Sequence, residues 1–251
     1  MTNTLFKEIS FLSSCESTNL VLNNIFKESV KKRNTIIVTN FQTKGVGQKG
    51  NFWESENKKN LLFSVGLVDI DLLAEKQFIL SVIVSLSIIK LLKKYFPNEK
   101  IQIKWPNDIY IGDKKIAGIL IENSLVGNKI KNTIIGIGLN VNQVKFNKDI
   151  PNPISMKQIL GKEIDVRLLL DEFVIEFEKM YFSMQNGGEV ALKSEYLDLL
   201  YKRSKRCNYI IKGKLQEAVI LGIDSYGFLE MKLNNVVEIF DIKDVEYILD
   251  K

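Results

Sequence analysis

The 251-residue sequence contains no histidine. That excludes every catalytic scheme built on imidazole, including the Ser-His-Asp and Cys-His arrangements. Cysteine is nearly missing too, with only Cys15 and Cys207, far apart in the chain. Two isolated thiols without histidine make no zinc site, no redox pair and no disulfide framework. No long hydrophobic run is present: the longest uncharged apolar stretch, Gln77 to Ile89, is broken by Lys90 and is too short to span a bilayer. The opening MTNTLFKEIS has no apolar signal core, so a reduced, cytoplasmic setting is expected. Neither charge sign dominates, with 35 Lys and Arg against 30 Asp and Glu. A net charge of +5 suits anionic small molecules or an acidic protein partner and is too diffuse to argue for nucleic acid. Chemistry is left to lysine, arginine, carboxylates, backbone amides or a borrowed metal.

The length allows one sizeable core, or one core plus a small module. Periodicity predicts a helix over Thr18–Lys32, strands over Thr35–Phe41 and Asn60–Leu67, and a buried helix over Phe78–Phe96 stopped by Pro97-Asn98. IQIKW, IYIG, KIAGILIENSL and NTIIGIGLNVN follow as short strands. The turn signals Gly112-Asp113 and Gly127-Asn128 lie between them, so antiparallel hairpins are expected. Beyond Pro151 and Pro153, helices are expected over Val166–Met184 and Gly188–Tyr201. After Arg203 the texture becomes short strands punctuated by Gly213, Asp224, Tyr226-Gly227 and Asn234-Asn235, which suggests a small β-barrel.

Within TKGVGQKGNFW, residues Gly45 to Gly50 spell G-x-G-x-x-G, the fingerprint of a dinucleotide-binding unit. That reading needs a helix after the glycine turn. Only NFWESENKKN separates Gly50 from the next strand, too short and too polar for a packed parallel crossover. The Rossmann reading fails on context. A glycine loop flanked by Lys44, Lys49, Lys58 and Lys59 still suits a phosphate or carboxylate, and Phe52-Trp53 argues against an idle surface tip.

IKWPNDIYIGDKKIAGILIE is the most specific stretch. Proline cannot donate to a sheet ladder, so Trp105-Pro106 should interrupt pairing and expose Asn107 and Asp108. Lys115 enters an apolar strand, either snorkelling outwards or aimed into a pocket, where a fixed ammonium beside a reacting phosphate is a plausible electrostatic catalyst. Gly136 and Gly138 let backbone approach a ligand closely, with Asn140 as a polar terminus.

Together these stretches resemble the biotin–protein ligases over most of the chain. ESTN is similar to the family's S-T-N signature, FQTKGVGQKGNFWES to its glycine-rich loop, KWPNDIYIGDKKIAGIL to its most distinctive block, and GIGLNVN to its later glycine strand. The resemblance implies an α+β fold, with helices packed on a mixed, mainly antiparallel sheet of class II synthetase-like type. That catalytic domain would span residues 1–202, and a small SH3-like β-barrel residues 203–251. It also implies an enzyme that uses ATP with Mg²⁺ to convert biotin to biotinyl-5′-AMP. The biotinyl group then passes to a lysine of a biotin carboxyl carrier protein.

By the same resemblance Ser17, Thr18 and Gln42 would meet biotin's ureido ring, with Gly45, Gly118, Gly136 and Gly138 lining its pocket and Asn19 also among the biotin-binding residues. Lys115 would hold the carboxylate and the transferring phosphate. Gly47, Gln48, Lys49, Gly50, Trp53, Asn107 and Asn140 would serve the nucleotide, and Asp108 would organise Mg²⁺ or the incoming amine. The family loop reads close to G-R-G-R-x-G-R, and here Val46, Gln48 and Asn51 replace its arginines, so either Lys44 and Lys49 compensate or the adenylate is held less tightly and leaks. Because the S-T-N signature starts at Ser17, no DNA-binding role is expected, and a monomer or weak homodimer is. A lipoate–protein ligase of the same fold is the nearest rival. A non-catalytic biotin- or nucleotide-binding protein is the alternative from another class.

Overall fold

The computed structural model describes residues 4–29 and 32–249, apart from the side chain of Lys49. A seven-stranded sheet forms the centre. Its strands are β1 (Glu8–Leu12), β2 (Thr35–Thr39), β3 (Leu61–Val68), β4 (Ile101–Lys104), β5 (Asp108–Ile111), β6 (Lys114–Val126) and β7 (Lys129–Leu139). Their spatial order is β1-β2-β3-β7-β6-β5-β4. Only β1 and β2 run parallel, and the other pairs are antiparallel.

Helices cover both faces. α1 (Thr18–Glu28) lies on one, and α2 (Phe78–Tyr95), α4 (Val166–Gln185) and α5 (Glu189–Asp198) pack together on the other. Two-sided cover explains the unbroken apolar run of β2, all five residues of which are buried. Ile37 joins Leu22, Phe26 and Ile134 under α1, while Ile36 and Val38 join the main core. α2 is apolar nearly all round because it is the central core helix, with Leu80, Val82, Ile83, Val84 and Leu86 fully enclosed. Each such Leu or Ile contributes roughly 1.5–3 kcal/mol by leaving water. Among the described residues no helix is long and apolar enough to cross a membrane.

The expected elements are present with shifted ends. α1 stops at Glu28, and Val30 and Lys31, part of the predicted helix, lie outside the described residues. Two elements escaped the periodicity reading. β1 is a five-residue edge strand with Ile9 and Phe11 largely exposed, so it has no buried stripe to announce it. α3 (Met156–Leu160) has one turn of core contact, but Ser155 and Gln158 close a reciprocal capping box, an S-x-x-Q signal visible in the sequence.

A second sheet holds β8 (Arg206–Ile211), β9 (Lys214–Ile223), β10 (Leu229–Leu233), β11 (Val236–Phe240) and β12 (Val245–Tyr247). Its order is β11-β10-β9-β8-β12, antiparallel throughout. It docks beside the β4–β5 turn, where the Trp105 indole N–H donates to the Gly227 carbonyl at 2.9 Å.

β2 and β3 are antiparallel neighbours, and the glycine loop between them holds a single 3₁₀ turn at Gln48–Gly50. No crossover helix follows it, as the failed Rossmann reading requires.

Candidate active site

Glycines make the floor of the first cavity. Gly118 of β6 lies opposite Gly138 of β7, and Gly136 lies opposite Ser64 of β3. The Trp53 indole rests in this trough, where a Cβ on Gly138 would overlap the ring and one on Gly118 would crowd it. The trough therefore depends on residues without side chains.

The N-terminus of α1 forms one wall. Ser17 occupies the N-cap position with no side-chain cap bond. The Gln42 carboxamide oxygen takes the Thr18 N–H instead, at 2.9 Å. This leaves Ser17, Thr18 and Gln42 buried, with polar groups at the cavity. Ser64 Oγ lies 2.6 Å from both Thr18 Oγ1 and Asn19 Oδ1, and Asn19 Nδ2 donates to Glu122 at 2.6 Å.

Lys115 reaches the cavity because of a bulge. β5 pairs Ile109 with Ala117 but Tyr110 with Lys115, so Ile116 is an extra residue in β6. In regular alternation Lys115 and Gly118 would face opposite sides of the sheet. The bulge rotates them onto one face, and a Cβ on Gly118 would lie 3.3 Å from Lys115 Cε. The Lys115 ammonium is 2.6 Å from Asp108 Oδ1 and sits over the Trp53 ring, 5.3 Å from its centre.

Asp108 and Asn107 follow the cis Trp105-Pro106 bond. They are half-buried, not exposed as the proline suggested. Asn107 is clamped to β6, donating to the Ile119 carbonyl at 2.6 Å while the Ile119 N–H returns a bond to its carbonyl at 3.0 Å. Asp108 also faces Lys104 at 3.7 Å. Lys104 in turn stands over the rings of Tyr110 and Tyr247, the latter from the second sheet. Burial, then the charges of Asp108 and Asp113, pushes the Tyr110 hydroxyl far above its ordinary value, so Tyr110 stays neutral.

A second cavity opens on the other side of Trp53 and Lys115, lined by Lys104, Asp108, Tyr110 and Asn140. Trp53 and Lys115 line both cavities. The first has a volume of only about 50 Å³ and the second about 620 Å³, because the indole fills the glycine trough. Trp53 Nε1 is buried without a hydrogen-bond partner, a costly state that a ligand or a shift of the ring would relieve.

The structure thus gathers Ser17, Thr18, Asn19, Gln42, Lys115, Gly118, Gly136 and Gly138 at the first cavity. Gly47, Gln48 and Asn107, assigned to the nucleotide, also line this first cavity. Asn140 lies at the second, its amide donating to the Ile154 carbonyl at 3.2 Å. Gly45 and Gly50 shape the loop: the Gly45 carbonyl accepts the Trp53 N–H at 2.9 Å, and Gly50 takes a left-handed φ of 78°. The Lys49 side chain lies outside the described residues. Among the described residues no group of three or more His, Cys, Asp or Glu could hold a metal ion, and Asp108 is engaged by two lysines. These residues do not form a metal cage. Sequence reasoning missed Ser64 and Glu122, although a serine inside the apolar run LLFSVGLV was a visible signal.

A sequence model of the Biotin/lipoate A/B protein ligase family matches residues 11–140. The bifunctional ligase/repressor BirA of Bacillus subtilis is 28% identical over 227 residues, covering 84% of this chain and 66% of that protein. Biotin–protein ligase 1, chloroplastic, of Arabidopsis thaliana is 28% identical over 208 residues, covering 78% of this chain and 54% of that one. The chain therefore spans two thirds or less of the length of these relatives. The biotin protein ligase from Aquifex aeolicus in complex with biotin and ATP superposes with a TM-score of 0.77 at 23% identity, covering 96% of this chain and 98% of that one. At that identity the likeness is one of fold.

Proposed function

This chain belongs to the biotin/lipoate A/B protein ligase family, and we propose that it uses ATP to activate biotin and then biotinylates a carrier-protein lysine. The observation that carries this reading is Lys115, whose side chain lines both cavities at their common wall. One ammonium there can neutralise a carboxylate on one side and a phosphate on the other.

In the first step a biotin carboxylate oxygen attacks the α-phosphorus of ATP. The bond to the bridging oxygen breaks, and pyrophosphate leaves with its electron pair. Lys115 holds the two anions together and offsets charge developing on the phosphoryl oxygens, so catalysis is by positioning and electrostatics with no imidazole. In the second step the carrier lysine's amine attacks the acyl carbon of biotinyl-5′-AMP. The acyl–oxygen bond breaks, AMP leaves with the electron pair, and the proton lost by the amine passes to solvent water. Asp108, beside Lys115, accepts a hydrogen bond from the incoming amine. Mg²⁺ would enter on the phosphates of ATP, since the described residues offer it no cage of their own.

Ser17, Thr18, Asn19 and Gln42 surround the ring end of biotin, with Gly45, Gly118, Gly136 and Gly138 allowing close approach. Trp53 must leave the glycine trough to admit the bicyclic ring. Gly47, Gln48, Lys49, Gly50, Asn107 and Asn140 serve the adenylate. Residues 1–202 form the catalytic unit and residues 203–251 a supporting β unit that contributes Tyr247 beneath Lys104. The buried polar wall disfavours lipoate, whose dithiolane ring has nothing to pair with it.

Biotin-dependent exchange of labelled pyrophosphate into ATP tests the first half-reaction. Transfer of labelled biotin to a carboxyl carrier domain, wild type against Lys115→Ala, tests the second. Folded protein that supports neither would end the enzyme reading.

A further inference from the structure

A row of polar side chains runs from the protein surface to the wall of the first cavity. It begins at the exposed Glu122 on β6 and passes through Asn19 on α1 and Ser64 on β3 to Thr18. Consecutive heavy atoms are 2.6 Å apart at each of these three steps. Gly136 makes room for it, since a Cβ there would overlap Asn19 Oδ1.

The carboxylate at one end sets the direction of the protons in this row. An ionised carboxylate accepts and never donates, so Asn19 must turn its amide nitrogen to Glu122 and its oxygen to Ser64. Ser64 has one hydroxyl proton, and Asn19 Oδ1 takes it. The equally short contact from Ser64 Oγ to Thr18 Oγ1 then takes the Thr18 proton, whose other acceptor, Gln42 Oε1, is farther away at 3.2 Å, and either acceptor uses that proton up. Thr18 is left with lone pairs alone to offer the cavity. Gln42 has the opposite character: its oxygen is held by the Thr18 N–H at 2.9 Å, so its Nε2 is what remains for a ligand.

We infer that Glu122, acting through Asn19 and Ser64, fixes the direction of these hydrogen bonds, making Thr18 an acceptor and Gln42 a donor toward the ligand. An adjacent acceptor and donor are the complement of a ring that presents N–H beside C=O, as a cyclic urea does. Glu122 and Ser64 are therefore positioning residues for the ureido end of biotin, an assignment that rests on the functional reading above. Hydroxyl and carboxamide groups free to reorient would serve other rings equally well. The fixed polarity makes this wall selective.

The test is biotin affinity by calorimetry on the full chain, together with KM and kcat for pyrophosphate exchange, in Ser64→Ala, Glu122→Ala and Glu122→Gln. Ser64→Ala and Glu122→Ala should weaken biotin binding about 3- to 30-fold. kcat at saturating biotin and KM for ATP should stay unchanged in all three, and the melting temperature should fall only in Ser64→Ala, where Asn19 Oδ1 loses its buried donor. Glu122→Gln decides the point. Glutamine keeps an acceptor but can also donate, so it should lose affinity as Glu122→Ala does. Wild-type affinity in Glu122→Gln would reduce Glu122 to a simple anchor and overturn the inference. So would a parallel loss of ATP affinity and thermal stability in all three variants. If Ser64→Ala does not fold, the two surface variants at Glu122 settle the matter. A wild-type chain that binds no biotin would overturn the functional reading and this inference with it, whereas intact biotin binding in every variant overturns the inference alone.

Discussion

The Lys115 ammonium lies 2.6 Å from the Asp108 carboxylate, although β6 would aim Lys115 to the other face if its alternation were regular. Both groups are less than a quarter exposed. An ion pair of this kind at the boundary of two cavities stores a cation where the proposed reaction brings two anions together. Lys115→Ala should lower the rate of biotinyl-adenylate formation by about 10²- to 10³-fold, the scale for removing a preorganised electrostatic group. Asp108→Asn should leave pyrophosphate exchange closer to wild type and reduce transfer to the carrier lysine. Separate assays of the two half-reactions check this, and equal loss in both would remove Asp108 from the second step.

Trp53 fills the glycine trough with its indole nitrogen unpartnered. Adding biotin to the Trp105→Phe variant, in which Trp53 is the sole tryptophan, should shift both the intensity and wavelength of the emission. An unchanged spectrum at saturating biotin would mean the ring does not move.

The same Trp105→Phe change should lower stability. The indole N–H bond to Gly227 joins the β4–β5 turn to the second sheet in a buried setting. Its loss leaves a carbonyl unsatisfied, at about 1–3 kcal/mol. The midpoint of urea denaturation measures it.

Val46 is half exposed, and Gln48 stands on the rim of the first cavity. Neither can supply the charge of an arginine over the adenylate. Wild-type protein given biotin and ATP without acceptor should release biotinyl-AMP into solution, and Gln48→Arg should slow that release. Retention in the wild type as tight as in Gln48→Arg would show that other groups hold the intermediate.

Glu176 ties α4 to α2, within 3.1 Å of Lys94 and 3.0 Å of Lys179. Burial pushes its pKa up, but hydrogen bonds and charge from Lys179 and Lys94 outweigh it and hold the carboxyl below the ordinary glutamate value. A depressed folded-state pKa contributes stability above the unfolded value of 4.5 that is lost as pH falls through the folded one. Wild type should therefore lose stability on acidification below about pH 4.5 more steeply than Glu176→Gln. The difference at neutral pH should be about 1 kcal/mol, since both lysines are partly solvated. Urea midpoints at pH 7 and pH 4 give the comparison.

Much of the fold was legible because it is local. β2, β3, α2 and α4 each have a continuous or periodic apolar pattern, and the missing helix after Gly50 was enough to reject a dinucleotide-binding unit. The chemistry available was bounded as well, since a chain without histidine must work through ammonium groups, carboxylates and amides. β1 and α3 were hidden because a short or exposed element buries too little to leave a pattern. Tertiary structure alone decided the site's polarity. A one-residue bulge placed Lys115 beside Gly118 and Asp108, tight docking of the turn half-buried Asn107, and strand register put Ser64 opposite Gly136. Asn19 and Glu122 lie 103 positions apart in the chain. No local propensity reaches that far, because long-range contacts are set by how strands pair and where they slip.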